Sequence, residues 1–387
     1  MRSGRCRTSL GAFRQEGAAT ATGWMLRAVV VPVVAALLLL LAPAPASAHA
    51  VSLGQSKIRQ DGAVVHYELA VTYADLVTRI SAAPTPGEVP DASGARTALL
   101  ALRAELTSYL DDGVRVSRDG RSCAARLDTV EVRPFHGTLY AVLASTYRCA
   151  GTAGAVKVTY NLFFDARSEA ESSSHSNVTD YDIAGKKGRF VFERDAQTLS
   201  AGGSGALGTA GRFTALGFTH ILAGLDHVLF VLALLIGARS ARTLVKVATT
   251  FTVAHSLTLL LAAAGWLVVP SGLVEPAIAL SIVVVAVQNI VQREVRLRLL
   301  VVFLFGLLHG LGFAGGLSFG EEVSWRFLTS LLAFNVGIEL GQASILLLAT
   351  PLLLVLRHRR WSRTAQWVTS GLIAVCGVCW LVGRLMA

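Results

Sequence analysis

The stretch from residue 220 to residue 227 reads His-Ile-Leu-Ala-Gly-Leu-Asp-His, and it lies inside a run apolar enough to cross a membrane. A titratable side chain in hydrocarbon costs several kcal/mol unless it is paired, so this stretch indicates a functional site in a membrane helix. On one continuous helix, His220 and His227 share a face and lie about 10 Å apart along the axis, too far to bind one ion. Asp226 points about a third of a turn away, where it orients a ligand or faces the next helix.

The composition also indicates a membrane protein. Of the 387 residues, 53% are hydrophobic, which is too many for an ordinary soluble protein and predicts several membrane spans. The net charge of +10 does not indicate nucleic-acid binding. The cations form no continuous face, and many stand in short runs between apolar segments, where membrane topology explains them.

The N-terminus has the pattern of a secretory signal peptide. Arg27 precedes an apolar run over residues 28–41, and an Ala-Ser-Ala sequence ends at Ala48. This order predicts cleavage after Ala48, with residues 1–48 as the signal and Met25 as a natural alternative start. The alternative interpretation is an uncleaved membrane anchor.

Residues 49–198 are polar enough to fold in water, and we expect them to form one extracytoplasmic, β-rich domain. Residues 65–73 alternate between apolar and polar side chains, while residues 130–147 and 156–164 are rich in β-branched and aromatic residues. A helical pattern covers residues 96–110. The prediction is therefore a β-sandwich with one helix.

Two pairs of cysteines carry separate predictions. Cys123 and Cys149 lie in the segment that the signal places outside the cytoplasm, so we expect a disulfide between them, the alternative being two buried free thiols. Cys376 and Cys379 share a face of the last apolar segment, where they either bind a soft metal or pack as small residues.

The C-terminal half is predicted to be a polytopic α-helical membrane domain over residues 212–387. A linker rich in Gly, Ala and Ser, residues 199–211, separates it from the exported domain. Each apolar segment is about long enough to cross about 30 Å of hydrocarbon as a helix. The six predicted transmembrane helices are residues 213–236, 244–266, 274–292, 299–319, 326–354 and 365–386.

The loop charges predict the orientation of these helices. Basic residues follow spans one, three and five, whereas the loop after span two has no Lys or Arg and the loop after span four carries Glu321 and Glu322. This alternation follows the positive-inside rule. We therefore expect a multi-pass protein of the bacterial cytoplasmic membrane whose N-terminal domain and C-terminus are both extracytoplasmic.

Several helices carry a titratable residue near mid-membrane. His227, His255, His309 and Glu339 come to a similar depth when residues are counted from each helix end. Neutral imidazole nitrogen and carboxylate oxygen are ligands that borderline divalent metals prefer. Taken singly, a membrane histidine has the alternative of bonding a neighbouring carbonyl, whereas an unpaired buried carboxylate is harder to explain.

The remaining polar and small residues of the spans have two interpretations. Asn335 and Gln342 are additional candidate ligands, with interhelical hydrogen bonding as the alternative. The glycine pairs 306/310 and 337/341 have small-xxx-small spacing, which predicts close helix packing near His309 and Glu339.

These residues resemble the signature of the HupE/UreJ family of bacterial nickel permeases, in the branch with a large exported N-terminal domain. The resemblance covers residues 213–386 and implies uptake of Ni²⁺, or a related divalent ion, to supply hydrogenase or urease. The segments that carry it are His220-x5-Asp226-His227, Phe251-Thr-Val-Ala-His255-Ser, Phe305-Gly-Leu-Leu-His309-Gly and Asn335-x3-Glu339.

The chain departs from the family pattern at one motif. Better-described members carry a second motif resembling Phe-His-Gly-x-Ala-His-Gly-x-Glu. Aligned on His309 and Gly310, this chain has Phe305 at the first His position and Gly312 at the Glu position. Two ligand positions of the family motif are therefore absent, and this affects the choice of metal.

The exported domain carries a second metal-binding hint. Cleavage after Ala48 makes His49 the mature N-terminus, and a terminal amine with its imidazole chelates Cu²⁺ or Ni²⁺. His66, His136 and His175 are candidates to complete this site. The alternative is that these are ordinary surface histidines.

The favoured function is uptake of a divalent transition-metal ion, most of all Ni²⁺, with Co²⁺, Zn²⁺ and Cu²⁺ as alternatives. No tightly bound cofactor is expected, and no Gly-x4-Gly-Lys-Ser/Thr motif is present, so transport is channel-like or secondary. The runner-up is an intramembrane metal-dependent hydrolase with Glu339 as general base, and a third is a sensor or assembly factor. Expected partners are the ion and the lipid bilayer, with a second copy of the chain and a metal-delivery protein as further candidates.

Overall fold

The computed structural model describes most of the chain from residue 53 onward. The described residues are 53–80, 91–135, 137–164, 175–200, 205–238, 240–291, 295–312, 324–357 and 362–386. The expected signal peptide, His49, His136 and the loop residues Glu321 and Glu322 lie outside them.

The N-terminal part is β-rich, which confirms the prediction for this region. Its strands are β1 (Leu53–Asp61), β2 (Val64–Thr72), β3 (Val114–Arg118), β4 (Arg121–Ser122), β5 (Ala124–Phe135), β6 (Thr138–Arg148), β7 (Val156–Tyr160), β8 (Ser176–Ile183), β9 (Lys186–Phe192) and β10 (Thr198–Ser200). Within the described residues they form a six-stranded sheet, ordered β5-β6-β2-β1-β8-β9, and a four-stranded sheet, ordered β10-β7-β3-β4. Strands β1 and β8 pair in parallel, and the neighbouring pairs of that sheet are antiparallel.

Strand β2 shows why the sequence pattern succeeds in this region. Val65, Tyr67 and Leu69 are buried, while His66 and Glu68 between them are exposed. The period of two places alternate side chains on opposite faces of a sheet, so the apolar set lies in the core.

The prediction of one helix in this domain was wrong. The structure has α1 (Tyr73–Ile80), α2 (Ala92–Ala101) and α3 (Arg103–Gly113). Helices α2 and α3 are separate because Leu102 between them leaves the helical conformation, with φ −98° and ψ 26°. Each helix is fastened to β5 by an arginine, since Arg96 donates to the carbonyl of Val130 at 3.1 Å and Arg103 to that of Leu127 at 2.8 Å. Helices α2 and α3 are thus each attached to β5 by a hydrogen bond of their own.

One apolar core joins both sheets and the three helices. It contains Leu69 from β2, Leu106 from α3 and Val158 from β7, each of them fully buried. Cys123 and Cys149 are joined by a disulfide at the edge of this core. Most buried apolar residues of this part therefore share one core, whereas Leu53, Val178 and Val191 belong to a second cluster that they form with apolar residues of the helices.

The C-terminal part is helical. Its helices are α4 (Ala206–Ala223), α5 (Leu225–Gly237), α6 (Ala241–Ala263), α7 (Ser271–Val291), α8 (Val295–Leu311), α9 (Trp325–Arg357) and α10 (Ser362–Met386). Among the described residues, four helices are long and apolar enough to cross a membrane, namely α6, α7, α9 and α10. Helices α4 and α5 pass the same test together but are bent by 74°, and α8 is a shorter apolar helix. The expected continuation of α8 to residue 319 lies outside the described residues.

Glycines allow the helices to approach closely. A Cβ at Gly337 of α9 would overlap the carbonyl of Thr214 on α4, and one at Gly310 of α8 would overlap the carbonyl of His255 on α6. Only a residue without a side chain permits this backbone contact. The packing predicted from the two glycine pairs is therefore present between α4 and α9 and between α6 and α8.

The described part of the predicted linker 199–211 is mostly regular, because it includes the end of β10 and the start of α4. Helix α4 begins at Ala206, and its first turns contact the β-rich domain instead of separating from it. Thr209 donates to the carbonyl of Arg189 at 3.2 Å, and Arg212 lies 3.5 Å from the carboxylate of Glu193. The guanidinium of Arg189 also lies 5.2 Å from the ring centre of Phe327 on α9. The β-rich domain thus rests on α4 and the start of α9.

Candidate metal centre

The first predicted span breaks at Gly224, which separates α4 from α5. Its N–H donates to the carbonyl of His220 at 3.0 Å, and its own carbonyl accepts from the N–H of Val228 at 3.0 Å. Gly224 therefore ends one helix and starts the next. A Cβ at this position would lie 2.5 Å from Nδ1 of His227, so the His227 ring occupies space that any larger residue would fill.

The break corrects the expected separation of the first two histidines. A continuous helix would place His220 and His227 about 10 Å apart along its axis. In the structure their ring centres are 4.9 Å apart, because α5 turns away from α4 by 74° between them. The two histidines are therefore neighbours in one cluster and not, as a continuous helix would make them, too far apart to bind one ion.

Two further helices complete a cluster of four imidazoles, which we call the histidine cluster: His220, His227, His255 and His309. The ring centre of His227 lies 5.0 Å from that of His309 on α8 and 6.1 Å from that of His255 on α6. The rings of His220 and His255 are 6.5 Å apart. All four residues are buried. The structure thus gathers the four histidines that the sequence analysis singled out in the membrane helices.

Several ring nitrogens of His227, His255 and His309 have no hydrogen bond to the part of the protein that the structure describes. Among the described residues, neither nitrogen of His227 or His255 has a hydrogen-bond partner, and Nδ1 of His309 has none. Buried polar atoms are normally paired, because leaving them unpaired costs about 1–3 kcal/mol each. Several such atoms in one place indicate a site built for a ligand.

The hydroxyl of Ser281 on α7 orients one of these rings. It donates to the carbonyl of Ile278 at 2.6 Å and lies 3.0 Å from Nε2 of His309. Since the single hydroxyl proton goes to Ile278, Nε2 of His309 must donate to Ser281. Nδ1 of His309 is then the unprotonated nitrogen, with its lone pair available to a cation.

Aromatic side chains wall the cluster. The ring of Phe230 lies 4.9 Å from His309, Phe251 lies 5.7 Å from His255, and Phe334 lies 5.7 Å from His220. These rings are fully buried and exclude water from around the imidazoles. A dry, apolar wall strengthens any interaction between a cation and the imidazole nitrogens.

The distances between the ring centres are those expected for imidazoles that share one ion, but the nitrogen atoms do not point to a common position. Metal–nitrogen bonds of about 2.1 Å place two imidazole centres on one tetrahedral ion about 5 Å apart. The observed separations begin at 4.9 Å. Among the described residues, however, no three His, Cys, Asp or Glu side chains converge on a metal position as they stand. His227 meets His220 and His309 edge to face, at 63° and 76°, so ion binding requires the rings to turn.

Asp226 is bound by a cation that the sequence analysis missed. Nη2 of Arg384, near the end of α10, lies 2.9 Å from Oδ2 of Asp226. Nη1 of the same guanidinium donates to the carbonyl of Glu275 at 2.9 Å. The other carboxylate oxygen of Asp226 lies 4.0 Å from Nδ1 of His227. Asp226 therefore stands beside the cluster and is held by α10.

The structure does not bring Glu339 to the histidines. Its side chain is exposed on α9, whereas Phe334, Ile338 and Gln342 form the buried face of that helix. Gln342 accepts a hydrogen bond from the hydroxyl of Thr252 on α6 at 3.1 Å, as its interhelical interpretation expects. Asn335 is half-buried, and its Oδ1 lacks a hydrogen-bond partner among the described residues.

Comparison with known proteins assigns the helical part of the chain to a protein family. Residues 195–384 match the family model described as HupE / UreJ protein. The membrane part of this chain belongs to the HupE/UreJ family. No curated protein matches the chain. Membership indicates a membrane protein with a function like that of nickel or cobalt transporters.

This chain departs at two positions from the family motif Phe-His-Gly-x-Ala-His-Gly-x-Glu, and the structure shows what those two residues contact. Phe305, at the first His position, has its ring centre 6.4 Å from that of Phe230 and so belongs to the aromatic wall. Gly312, at the Glu position, follows the end of α8, and a Cβ there would lie 3.0 Å from the side chain of Ile278. An aromatic ring and a glycine thus stand at the two ligand positions of that motif.

The histidines of the β-rich domain do not assemble a comparable site among the described residues. His175 is buried, its Nε2 lies 2.8 Å from the hydroxyl of Tyr160, and its ring stacks on Phe163 with centres 4.5 Å apart. Burial lowers the pKa of this imidazole to about 3. His66 is exposed and lines an open groove of about 650 Å³ on the outer face of the six-stranded sheet.

Proposed function

We propose that this HupE/UreJ protein takes up a divalent transition-metal ion, with Ni²⁺ favoured over Co²⁺, Zn²⁺ and Cu²⁺. The observation that carries the proposal is the histidine cluster, in which four imidazoles from four helical segments meet at a helix break. Neutral imidazole is the ligand that these ions share. Asp226 stands beside the cluster, with one carboxylate oxygen 4.0 Å from Nδ1 of His227, and it can contribute an anionic ligand to a cation.

The proposal includes six membrane spans. Helices α4 and α5 together form one broken span, and α8 belongs to the fourth span that the sequence predicts, residues 299–319. The basic loops after spans one, three and five then lie in the cytoplasm, so the β-rich domain and the C-terminus lie outside. In this orientation α4 leads from the outer surface to the histidine cluster.

A broken helix suits a cation site inside a membrane. The C-terminal end of α4 presents carbonyl oxygens whose partial negative charge attracts a cation. Irregular backbone at membrane depth is tolerated where it lines a cavity or a substrate site, and broken helices supply such sites in secondary transporters. We expect the ion to bind where α4 ends, among His220, His227, His255 and His309.

We propose transport in preference to hydrolysis because, in the part of the chain that the structure describes, no carboxylate is placed as a general base. Glu339, which a hydrolase would use, is exposed on α9 and does not face the cluster. Asp226 is engaged by Arg384 at 2.9 Å. The alternative of a sensor or assembly factor that acts through the exported domain uses the helices only as an anchor, and an anchor does not require four buried histidines.

The test is uptake of radiolabelled nickel into proteoliposomes that contain the full-length protein. His255→Leu removes one ligand, and we expect uptake to fall on the order of 100-fold. Val253→Ala is the matched control, because Val253 lies two residues away on α6 and is 58% exposed. It should transport like the wild type.

Glu339→Gln tests whether the site is the histidine cluster alone or, as the sequence predicted, also includes Glu339. Because Glu339 lies away from the cluster, its variant should retain uptake within about twofold of the wild type. Unchanged uptake in His255→Leu would contradict the proposal. Loss in Glu339→Gln as severe as in His255→Leu would contradict a site formed by the four imidazoles.

A further inference from the structure

Arg384 is a buried positive charge that lies close to the proposed cation-binding site. Its side chain is 10% exposed and lies next to the histidine cluster through Asp226. Two of its nitrogens are bound, one by Asp226 and one by the carbonyl of Glu275, while Nε has no hydrogen-bond partner among the described residues. Such a buried guanidinium is costly unless it is paired, so its place beside the site requires an explanation.

Asp226 is shared between two neighbours. Its Oδ2 is bound by Arg384, whereas its Oδ1 stands 4.0 Å from Nδ1 of His227, just beyond hydrogen-bond distance. A movement of about 1 Å would bring the carboxylate to the imidazole or to a cation bound there. Asp226 also lies in the first turn of α5, where the helix dipole favours a carboxylate in either position.

Arg384 and a divalent ion in the cluster compete for this carboxylate, because a carboxylate that bridged them would hold two cations close together. In a buried site of low dielectric constant, like charges a few ångströms apart repel strongly. The guanidinium and the aspartate neutralise each other when no ion is bound. Arrival of two further positive charges at the cluster therefore favours separation of Asp226 from Arg384.

We propose that Arg384 is a positioning residue that holds Asp226 back from the histidine cluster until the cation displaces it. This inference rests on the proposed function, because it assumes that the cluster binds the transported ion. Arg384 lowers the affinity of the site by competing for Asp226. The same competition speeds release, because the guanidinium takes the carboxylate back as the ion leaves.

The proposal predicts opposite effects on affinity and on maximal rate. Arg384→Gln removes the competitor, so the site should bind a divalent ion more tightly, on the order of tenfold. Maximal uptake should fall by a similar factor, since the ion leaves more slowly. A merely structural role would instead weaken binding and lower the rate together.

The experiment is a titration of the purified full-length protein with Co²⁺, followed by visible absorption, paired with Co²⁺ uptake into proteoliposomes. Arg384→Gln, Asp226→Asn and the double variant form a cycle with the wild type. Arg384→Met is a second neutral variant that replaces glutamine if that protein does not fold. Arg384→Lys keeps the charge with fewer donors, and its affinity should lie between those of the wild type and Arg384→Gln.

The outcomes separate this proposal from the proposed function. Tighter binding with slower uptake in Arg384→Gln, and no further effect of Arg384→Gln in the Asp226→Asn background, would support the displacement of Arg384. Unchanged or weaker binding in Arg384→Gln would overturn it, as would an equal effect in both backgrounds. A wild-type protein that neither binds nor transports Co²⁺ or Ni²⁺ would overturn the proposed function itself.

Discussion

Among the described residues, the buried histidines lie in two environments whose hydrogen bonding differs. His175 lies in the core of the β-rich domain, where the Tyr160 hydroxyl bonds its Nε2 and Phe163 stacks on its ring. His255 is equally buried in the membrane domain and also contacts aromatic rings. Among the described residues, however, neither of its ring nitrogens has a hydrogen-bond partner.

This difference separates a structural histidine from a candidate ligand. A buried polar group that is hydrogen-bonded stabilises its fold, whereas one that is left unpaired lowers stability and persists where a function retains it. Burial alone does not distinguish the two cases. The hydrogen-bond partners do, and they predict opposite results when each ring is replaced by an apolar residue.

The largest expected difference is in stability. His175→Leu should lower the free energy of unfolding of the β-rich domain by about 3 kcal/mol, because the Tyr160 hydroxyl loses its hydrogen bond with the imidazole and the aromatic stacking is lost. His255→Leu should leave stability unchanged or raise it, because it removes an unpaired polar ring. The two measurements can be made on one full-length protein in detergent.

The aromatic residues provide separate probes for that measurement. All tyrosines lie between Tyr67 and Tyr181, while the tryptophans of the membrane domain begin at Trp266. Urea unfolding followed by near-ultraviolet circular dichroism in the tyrosine region therefore reports on the β-rich domain. Tyr160→Phe combined with His175→Leu should recover part of the loss, and equal destabilisation by His175→Leu and His255→Leu would refute the distinction.

Lowering the pH should reduce the free energy of unfolding of the β-rich domain through His175, by a smaller amount than the substitution does. Burial lowers the pKa of His175 to about 3, while the unfolded chain titrates near 6.5. Below pH 6.5 the unfolded state therefore binds a proton that the folded state excludes, so stability is lost as the pH falls. Between pH 7.5 and pH 5 this group should lower the free energy of unfolding by about 2 kcal/mol.

The His175→Leu variant isolates that contribution from other titrating groups. The stability difference between wild type and variant should be about 3 kcal/mol at pH 7.5 and about 1 kcal/mol at pH 5. The same urea titration at both pH values measures it. A difference that stays constant with pH would show that His175 accepts a proton in the folded domain.

Much of the fold could be predicted because its signals are local. The alternation of residues 65–73 indicates strand β2, and small-xxx-small spacing indicates the close packing at Gly310 and Gly337. The four histidines of the cluster were also found in this way, because titratable residues are rare in apolar segments. These inferences need only the order of residues along one element.

The missed features depend on partners that are distant in sequence. A single glycine costs a helix only about 1 kcal/mol, so Gly224 alone did not indicate that the His227 ring would use the space beside it. Arg384 is 158 residues from Asp226, and no local pattern connects them. Glu339 is one residue beyond the buried Ile338, but a membrane helix is apolar on both faces, so hydrophobicity does not show which face turns inward.

The smallest predicted effect concerns His309, a cluster histidine that, like His175, has a hydroxyl group as a hydrogen-bond partner. Ser281 lies 3.0 Å from Nε2 of His309, as Tyr160 lies 2.8 Å from Nε2 of His175. In His309, however, the bond leaves Nδ1 without a partner among the described residues, so it orients a ligand and does not satisfy the whole ring. Ser281→Ala should therefore raise the KM for nickel uptake about tenfold, the usual effect of losing a residue that orients a metal ligand.

Ser281→Thr keeps the hydroxyl and should restore uptake, whereas Thr250→Ala is a control on a hydroxyl that bonds only within its own helix, to the carbonyl of Lys246 at 2.7 Å. The protein stability of Ser281→Ala should change by less than about 1.5 kcal/mol, because one neutral hydrogen bond is lost. If KM is unchanged while stability falls, then Ser281 acts on His309 as Tyr160 acts on His175, and His309 is a structural residue. In that case the candidate site contracts to His220, His227 and His255, with Asp226 as its carboxylate.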